Sequence, residues 1–379
     1  MSVITSSSSK KPEKLSILKT RSETFKFESK DWIKLNAGQP TMCRVLYPES
    51  MYPKLVEACR TKQLSTVDRV GVINDAYNLT KIGKLSPSTL LKVLTIAEKE
   101  TEYAVWIALD TAIRGVFKAL NSSGDEAKAS KFRKFASDLI APILSTVGWS
   151  PKSSDGHLGV MLRALIINLA GDICESDPKI LLEASKRFNA LCVSIANGGD
   201  GTCDALPSDL KSAVFKIVLR AGSKAEFEQV MKFWEITPTN AEKKIAYGSL
   251  GSIKDPALKK RVLEWARDDL KTQDFFYPMM SVQGSGPVGA DVAWQFVQDN
   301  FEQLSKKIGL GSPALLYAVI ACCSQGKSTK SRADEVEKFF LEKHKASVKR
   351  CRPKIVQMLE RMRNMASFVE TLVSGLDQW

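Results

Sequence analysis

From Pro48 onward, apolar positions recur at three- and four-residue steps. They divide the chain into amphipathic stretches over 49–61, 65–82, 87–99, 101–120, 125–147, 155–171, 178–196, 207–220, 223–235, 239–249, 255–267, 287–306, 312–324, 331–343 and 346–375. The last is expected to kink or restart at Pro353, which lacks the amide a helix interior needs. The breaks are short and rich in helix-boundary residues: Ser86-Pro87, Asn121 to Gly124, Ser150-Pro151, Pro207-Ser208, Thr237-Pro238 and Asp255-Pro256. Many helices joined by tight turns predict a mainly α protein over residues 48–379, an irregular HEAT-like α-superhelix in which paired helices stack. No tetratricopeptide or ankyrin consensus recurs, and a compact bundle is the alternative packing.

One of these stretches has both ends marked. Ser65 is placed to cap a helix with Asp68 three residues on, as in a capping box, and Gly83 can supply the left-handed residue that stops it. Between them Val67, Val70, Ile73 and Tyr77 form one apolar stripe, and Val72, Ala76 and Leu79 form a second. An apolar arc that wide predicts burial on more than one side.

Ahead of the helices the pattern changes. Residues 1–14 begin with Met-Ser-Val-Ile-Thr-Ser-Ser-Ser-Ser-Lys and read as a disordered tail. Their Ser and Lys content resembles a mitochondrial transit peptide but lacks an Arg-rich amphipathic helix, so a cytoplasmic location is expected, with a mitochondrial one as the alternative. Over 15–47 alternation takes over. Phe25 and Phe27 alternate with polar residues, Trp32 to Asn36 follow, and Cys43, Val45 and Tyr47 close the segment after a turn at Gly38-Gln39-Pro40. This predicts a short β-hairpin, too little sheet to stand alone.

Several of these segments share one family resemblance. The run from Val67 to Leu79, Val-Asp-Arg-Val-Gly-Val-Ile-Asn-Asp-Ala-Tyr-Asn-Leu, resembles the start of the helical C-terminal domain of puromycin-sensitive-type (M1 family) zinc aminopeptidases. Trp32, Lys34, Asn36, Arg44, Val45 and Tyr47 match the end of the β-sandwich domain that precedes it there, with Thr41, Met42 and Cys43 departing from the family's Gly and two aromatics. Asp155-Gly-His-Leu-Gly-Val-Met-Leu-Arg163, and Val282 to Gly289 followed by Ala293, Trp294, Phe296, Asn300 and Phe301, resemble further segments of the same domain. The resemblance runs in order from Trp32 to Phe301. It implies a superhelical domain that walls a substrate cavity, with the 15–47 segment left from a β-sandwich, and with peptide or the catalytic part of the enzyme as partner.

The same family's chemistry cannot be written with this chain's residues. A zinc aminopeptidase needs two imidazoles one helical turn apart and a carboxylate, as in His-Glu-x-x-His with a further Glu. The two histidines, His157 and His344, have no imidazole at the fourth position. No catalytic residue, metal ligand or cofactor is therefore expected in this chain alone; zinc belongs to the full-length family.

Residues for binding are a separate matter. His157 reads either as a polar group facing a cavity or, preferentially, as a cap at a helix start. Arg163, an arginine in an apolar helix, needs a carboxylate: an internal Asp or Glu, or a peptide C-terminus. Gln283, Gly284 and Ser285 are read, from the resemblance, as a loop near the interior cavity. Gly284-Ser-Gly-Pro-Val-Gly289 spells Gly-x-Gly-x-x-Gly, but helical surroundings and Pro287 argue against a dinucleotide site. Asp200, Thr202 and Asp204 lack the closing Glu of a calcium loop and read as a turn.

Composition narrows the classes further. With 44% apolar residues among 379, the chain can bury a sizeable core, and no apolar run reaches the ~18 residues of a membrane span, so a soluble protein with no membrane partner is expected. Eight cysteines without Cys-x-x-Cys spacing favour a reducing compartment, and adjacent Cys322 and Cys323 read as helix packing. A net charge of +13 admits polyanions, and Lys327 to Arg363 is the richest basic stretch, but interleaved Glu335, Glu337, Glu342 and Glu360 favour a solvated helix face over nucleic-acid binding. Three functions remain, in order: a noncatalytic aminopeptidase domain, a stand-alone scaffold for a protein partner, and nucleic-acid association.

Overall fold

A computed structural model describes residues 2–7, 13–14, 20–26, 31–175, 177–309, 311–377 and 379. Three strands, β1 (Ser2–Thr5), β2 (Glu13–Lys14) and β3 (Ile33–Leu35), precede the helices. These are α1 (Tyr52–Arg60), α2 (Thr66–Lys81), α3 (Pro87–Leu94), α4 (Tyr103–Ser123), α5 (Glu126–Val147), α6 (His157–Ile173), α7 (Pro178–Ala196), α8 (Ser208–Ala221), α9 (Lys224–Ile236), α10 (Asn240–Leu250), α11 (Pro256–Asp269), α12 (Phe276–Gln283), α13 (Pro287–Ile308), α14 (Pro313–Ser324), α15 (Lys330–Glu337) and α16 (Arg352–Gly375). Among the described residues the protein is thus mainly α, an irregular succession of sixteen helices, as the periodicity predicts. Seven of the first fifteen helices carry Pro in the first turn, at Pro53, Pro87, Pro178, Pro256, Pro278, Pro287 and Pro313, where its missing amide costs nothing. The last expected helix restarts rather than kinks, with Pro353 in the first turn of α16.

The chain divides into two compact units. One holds residues 1–117, 130–166 and 370–379, the other 118–129 and 167–369.

In the first unit α2 is the organising helix. Ser65 Oγ accepts from the Asp68 amide at 3.2 Å, and Gly83 takes a positive φ of 67° just beyond the helix, as the sequence predicts. The carboxylates do something the sequence did not announce. Asp68 accepts from the Gly38 amide at 2.8 Å with Lys34 Nζ at 3.7 Å, and Asp75 accepts from the Val45 amide at 3.1 Å. A small antiparallel sheet does precede the helices, as expected, but its strands are placed differently. Cys43 to Tyr47 is not a strand: Asp75 of α2 takes the Val45 amide, and Tyr47 Oη takes the Leu35 amide at 3.0 Å.

The partner of β3 is instead β1, in the antiparallel sheet order β2-β1-β3 with Val3 opposite Leu35 and Thr5 opposite Ile33. Residues 2–5 therefore do not belong to a disordered tail: Val3 and Ile4 are buried, and this apolar pair is what the short polar run conceals. Thr24 to Lys26 is not strand, and Phe27 lies outside the described residues.

A buried ion pair completes this unit's core. Glu100 accepts from Arg69 Nε at 2.8 Å, Lys62 Nζ at 2.7 Å, and the amides of Thr101 and Glu102 at 2.8 and 2.9 Å. Burial pushes the Glu100 carboxyl upward, but these donors outweigh it and hold the group below its ordinary range.

In the second unit helices adjacent in space run α7, α8, α10, α12, α13 and α14, each packed on the next. Its core is aromatic: Phe215 meets Phe188 and Phe233 edge to face at 5.7 and 5.1 Å. Here the sequence reading missed one element. The Phe275-Phe276-Tyr277-Pro278 run, left as a connection, starts helix α12, with Pro278 in the first turn where its missing amide is tolerated.

Candidate functional site

The binding residues read from the sequence fall in different units. His157 and Arg163 lie in the first, Gln283 to Ser285 in the second. His157 is the first residue of α6 and is exposed. Arg163, only 1% exposed, pairs with Asp155 and donates from Nε to the Val147 carbonyl at 3.2 Å. Its carboxylate is thus internal, the commoner of the two outcomes the sequence allowed. The Asp155 carboxyl is held low, first by the Lys152 amide and then by Arg163.

Gln283 ends α12, and Ser285 lies in the turn that leads into α13. Ser285 Oγ donates to the Val282 carbonyl at 2.7 Å and accepts from Lys259 Nζ at 2.6 Å. Lys259, buried on α11, also donates to the Gly251 carbonyl at 2.7 Å. Both of these acceptors are neutral, and burial together with the nearby Arg220 charge brings its pKa down to about 8. The turn is therefore a staple that ties the end of α10 to the α12–α13 junction. Its glycines have structural roles: Gly286 takes a positive φ of 118°, and a Cβ on Gly289 would run into the Val282 carbonyl and the Ser285 hydroxyl. A helix rather than a strand precedes the Gly-x-Gly-x-x-Gly sequence, so the dinucleotide fingerprint has no frame.

The most site-like surface of the second unit was not singled out from the sequence. Trp234 of α9 meets Trp265 of α11 edge to face at 4.9 Å; Trp265 lies 5.9 Å from Tyr247 of α10; Tyr247 stacks 6.4 Å from Tyr277 of α12, which lies 4.2 Å from Phe276. Tyr247 is buried and the other four rings are half-buried. Lys243 Nζ stands 5.0 Å from the Trp234 ring and Lys244 Nζ 5.3 Å from Tyr277. Beside Trp265 opens a pocket of about 310 Å³ between α9 and α11, lined by Phe227, Met231, Arg261, Val262, Glu264, Trp265, Asp268 and Asp269. The three rings of Phe-Phe-Tyr before Pro278 were the available signal, but the row joins four helices and has no linear pattern.

The remaining motifs resolve simply. Asp200 Oδ1 accepts from the Thr202 amide at 3.0 Å and its hydroxyl at 2.7 Å, a side-chain-closed turn. Cys323 is buried in α14, and burial raises the Cys322 thiol to about 12, so both are thiols kept protonated by packing. In the basic stretch Arg363 bonds Asp334 at 2.7 Å and also Glu337, while Lys345, Lys349, Arg352 and Lys354 are exposed with no carboxylate partner among the described residues. Among the described residues no three His, Cys, Asp or Glu side chains gather as a metal site, and no single helix is long and apolar enough to cross a membrane.

Fold and surface together describe a helical module with a half-buried aromatic face and without the His-Glu-x-x-His sequence of a zinc peptidase centre. The chain belongs to the ERAP1-like C-terminal domain family, whose model matches residues 32–364. It is 28% identical over 345 residues to Aminopeptidase M1-A of Oryza sativa subsp. japonica, covering 90% of this chain and 37% of that protein. Aminopeptidase M1 of Arabidopsis thaliana is 27% identical over 345 residues, with the same coverage of 90% and 37%. Aminopeptidase 2, mitochondrial, of Saccharomyces cerevisiae is 27% identical over 357 residues, 93% of this chain and 35% of that protein. The chain thus spans little more than a third of the length of these relatives.

Proposed function

We propose that the protein is a noncatalytic accessory domain that works with an aminopeptidase catalytic part, holding peptide and excluding water around it rather than breaking bonds. The observation that carries this reading is the family match over residues 32–364 in a chain whose two histidines cannot form the zinc motif. The half-buried rings and the pocket beside Trp265 support it, since they offer a ready contact surface. The test is to mix the purified chain with the catalytic segment of an M1 aminopeptidase from the same cell. Association at micromolar concentration and faster peptide trimming are the expected results; neither appearing sinks the reading. If capture from native extract instead recovers a partner without a zinc-peptidase sequence, the stand-alone scaffold takes its place.

A further inference from the structure

The pocket between α9 and α11 has an apolar floor and an acidic rim. Phe227 and Val262 are buried beneath it, and Glu264, Asp268 and Asp269 come from the last two turns of α11. The neighbouring cations are already committed. Arg261 is gripped by both oxygens of Glu228, one at 3.1 Å, and Arg267 is held by Asp268 at 2.6 Å and by Asn300 Oδ1 at 2.6 Å. Glu264 is reached by Lys260 only at 3.8 Å, and Asp269 has no partner among the described residues. Surplus carboxylate beside an indole suits a guanidinium or ammonium, which gains an ion pair and a cation–π contact together. At about 310 Å³ the space sits at the lower end of ligand pockets and suits one side chain.

The row of rings sets the rest of the ligand. Its steps from Trp265 to Tyr247 and on to Tyr277, 5.9 and 6.4 Å, are close to the roughly 6.6 Å between alternate residues of an extended chain. Trp234, Tyr277 and Phe276 keep part of their surface open to receive apolar side chains. Lys244 puts positive charge over Tyr277, at the end of the row away from the pocket, whereas Lys243 stands over Trp234, next to the pocket's own Trp265. The surface is therefore polar in the electrical sense, acidic at Trp265 and basic at Tyr277. A polynucleotide, charged the same way along its whole length, would meet repulsion at the pocket.

We infer that this face holds an extended peptide, with an arginine or lysine side chain in the α9–α11 pocket, an apolar side chain on Tyr277, and a carboxylate directed to Lys244. The inference rests on the reading of the chain as a peptide-holding domain and names its substrate class, basic peptides.

The test uses the full chain and the peptide acetyl-Gly-Arg-Ala-Leu-Ala-Phe-Ala-Glu, with a second peptide carrying neutral, isosteric citrulline in place of arginine. Indole fluorescence and calorimetry at about 0.15 M salt read the binding. The arginine peptide should bind about tenfold more tightly than the citrulline peptide. The Glu264→Gln, Asp269→Asn double variant, both changes on partly open side chains, should erase that difference while keeping the melting temperature. Equal affinity for the two peptides, or a preference that survives in the double variant, overturns the inference. So does a fluorescence change with poly-uridine alone. If peptide preference is absent but the catalytic segment still associates, only this inference falls; if both are absent, the proposed function falls with it.

Discussion

Lys259 shows how much one side chain can hold. Its ammonium is buried with two neutral acceptors, the Gly251 carbonyl and the Ser285 hydroxyl, and its pKa lies near 8, against 10.5 in the unfolded chain. Between those values the unfolded chain binds the extra proton, so raising the pH through this window favours the folded state; below 8 both states are protonated and the cost of burying the charge remains. The gain is on the order of 3 kcal/mol. Tyrosines and thiols whose pKa burial raises, Tyr47 and Cys322 among them, oppose it at high pH, so the comparison must be differential. In urea titrations at pH 7.5 and pH 10, wild type should gain on Lys259→Met as pH rises; parallel pH profiles would show that Lys259 does not titrate in this range. At this scale the sequence was legible only where chemistry is local. Ser65 and Gly83 could be read because a cap needs one residue type at one position, and Arg163 because a buried guanidinium demands a carboxylate. Nothing near Lys259 in the chain announces Ser285, twenty-six positions away.

At the level of elements, α10 carries its own control experiment. Gly248 lies inside the helix with open space where a Cβ would go, so Gly248→Ala should stabilise by about 1 kcal/mol through helix propensity alone. Three residues on, a Cβ at Gly251 would collide with the backbone of Ser281 and Val282 in α12, which cannot swing aside as a side chain can. Gly251→Ala should therefore cost about 3 kcal/mol or more. Opposite shifts in urea midpoint for the two variants are expected; a tolerated Gly251→Ala would mean that α10 and α12 do not approach so closely. The helices were readable because each apolar face repeats at 3.6 residues whatever it packs against. α12 was not, since its Phe-Phe-Tyr-Pro start carries no such period over only eight residues. The strands ahead of the helices were only partly placed, for another reason. Alternation marks Cys43 to Tyr47 as a strand, but it cannot say whether another strand or a carboxylate of α2 will take the Val45 amide.

For the molecule as a whole, the absence of a zinc motif and the mainly α class were open to a reader of the sequence, because both depend on residue types and short spacings. The candidate surface was not, because Trp234, Tyr247, Trp265 and Tyr277 become neighbours only when four helices are brought together. The sheet ahead of the helices carries a practical corollary. Among the described residues its middle strand, β1, supplies every pairing that β2 and β3 have, and Ser2 Oγ adds a bond to the Ala37 carbonyl. Anyone trimming the polypeptide for crystallisation will be tempted to discard the first seven residues as a floppy leader. Doing so should unzip the sheet, bare the indole of Trp32, and leave β3 with naked amides that recruit neighbours. Light scattering on the shortened protein should show clumping that the intact one lacks, so purification handles are better carried at the opposite terminus.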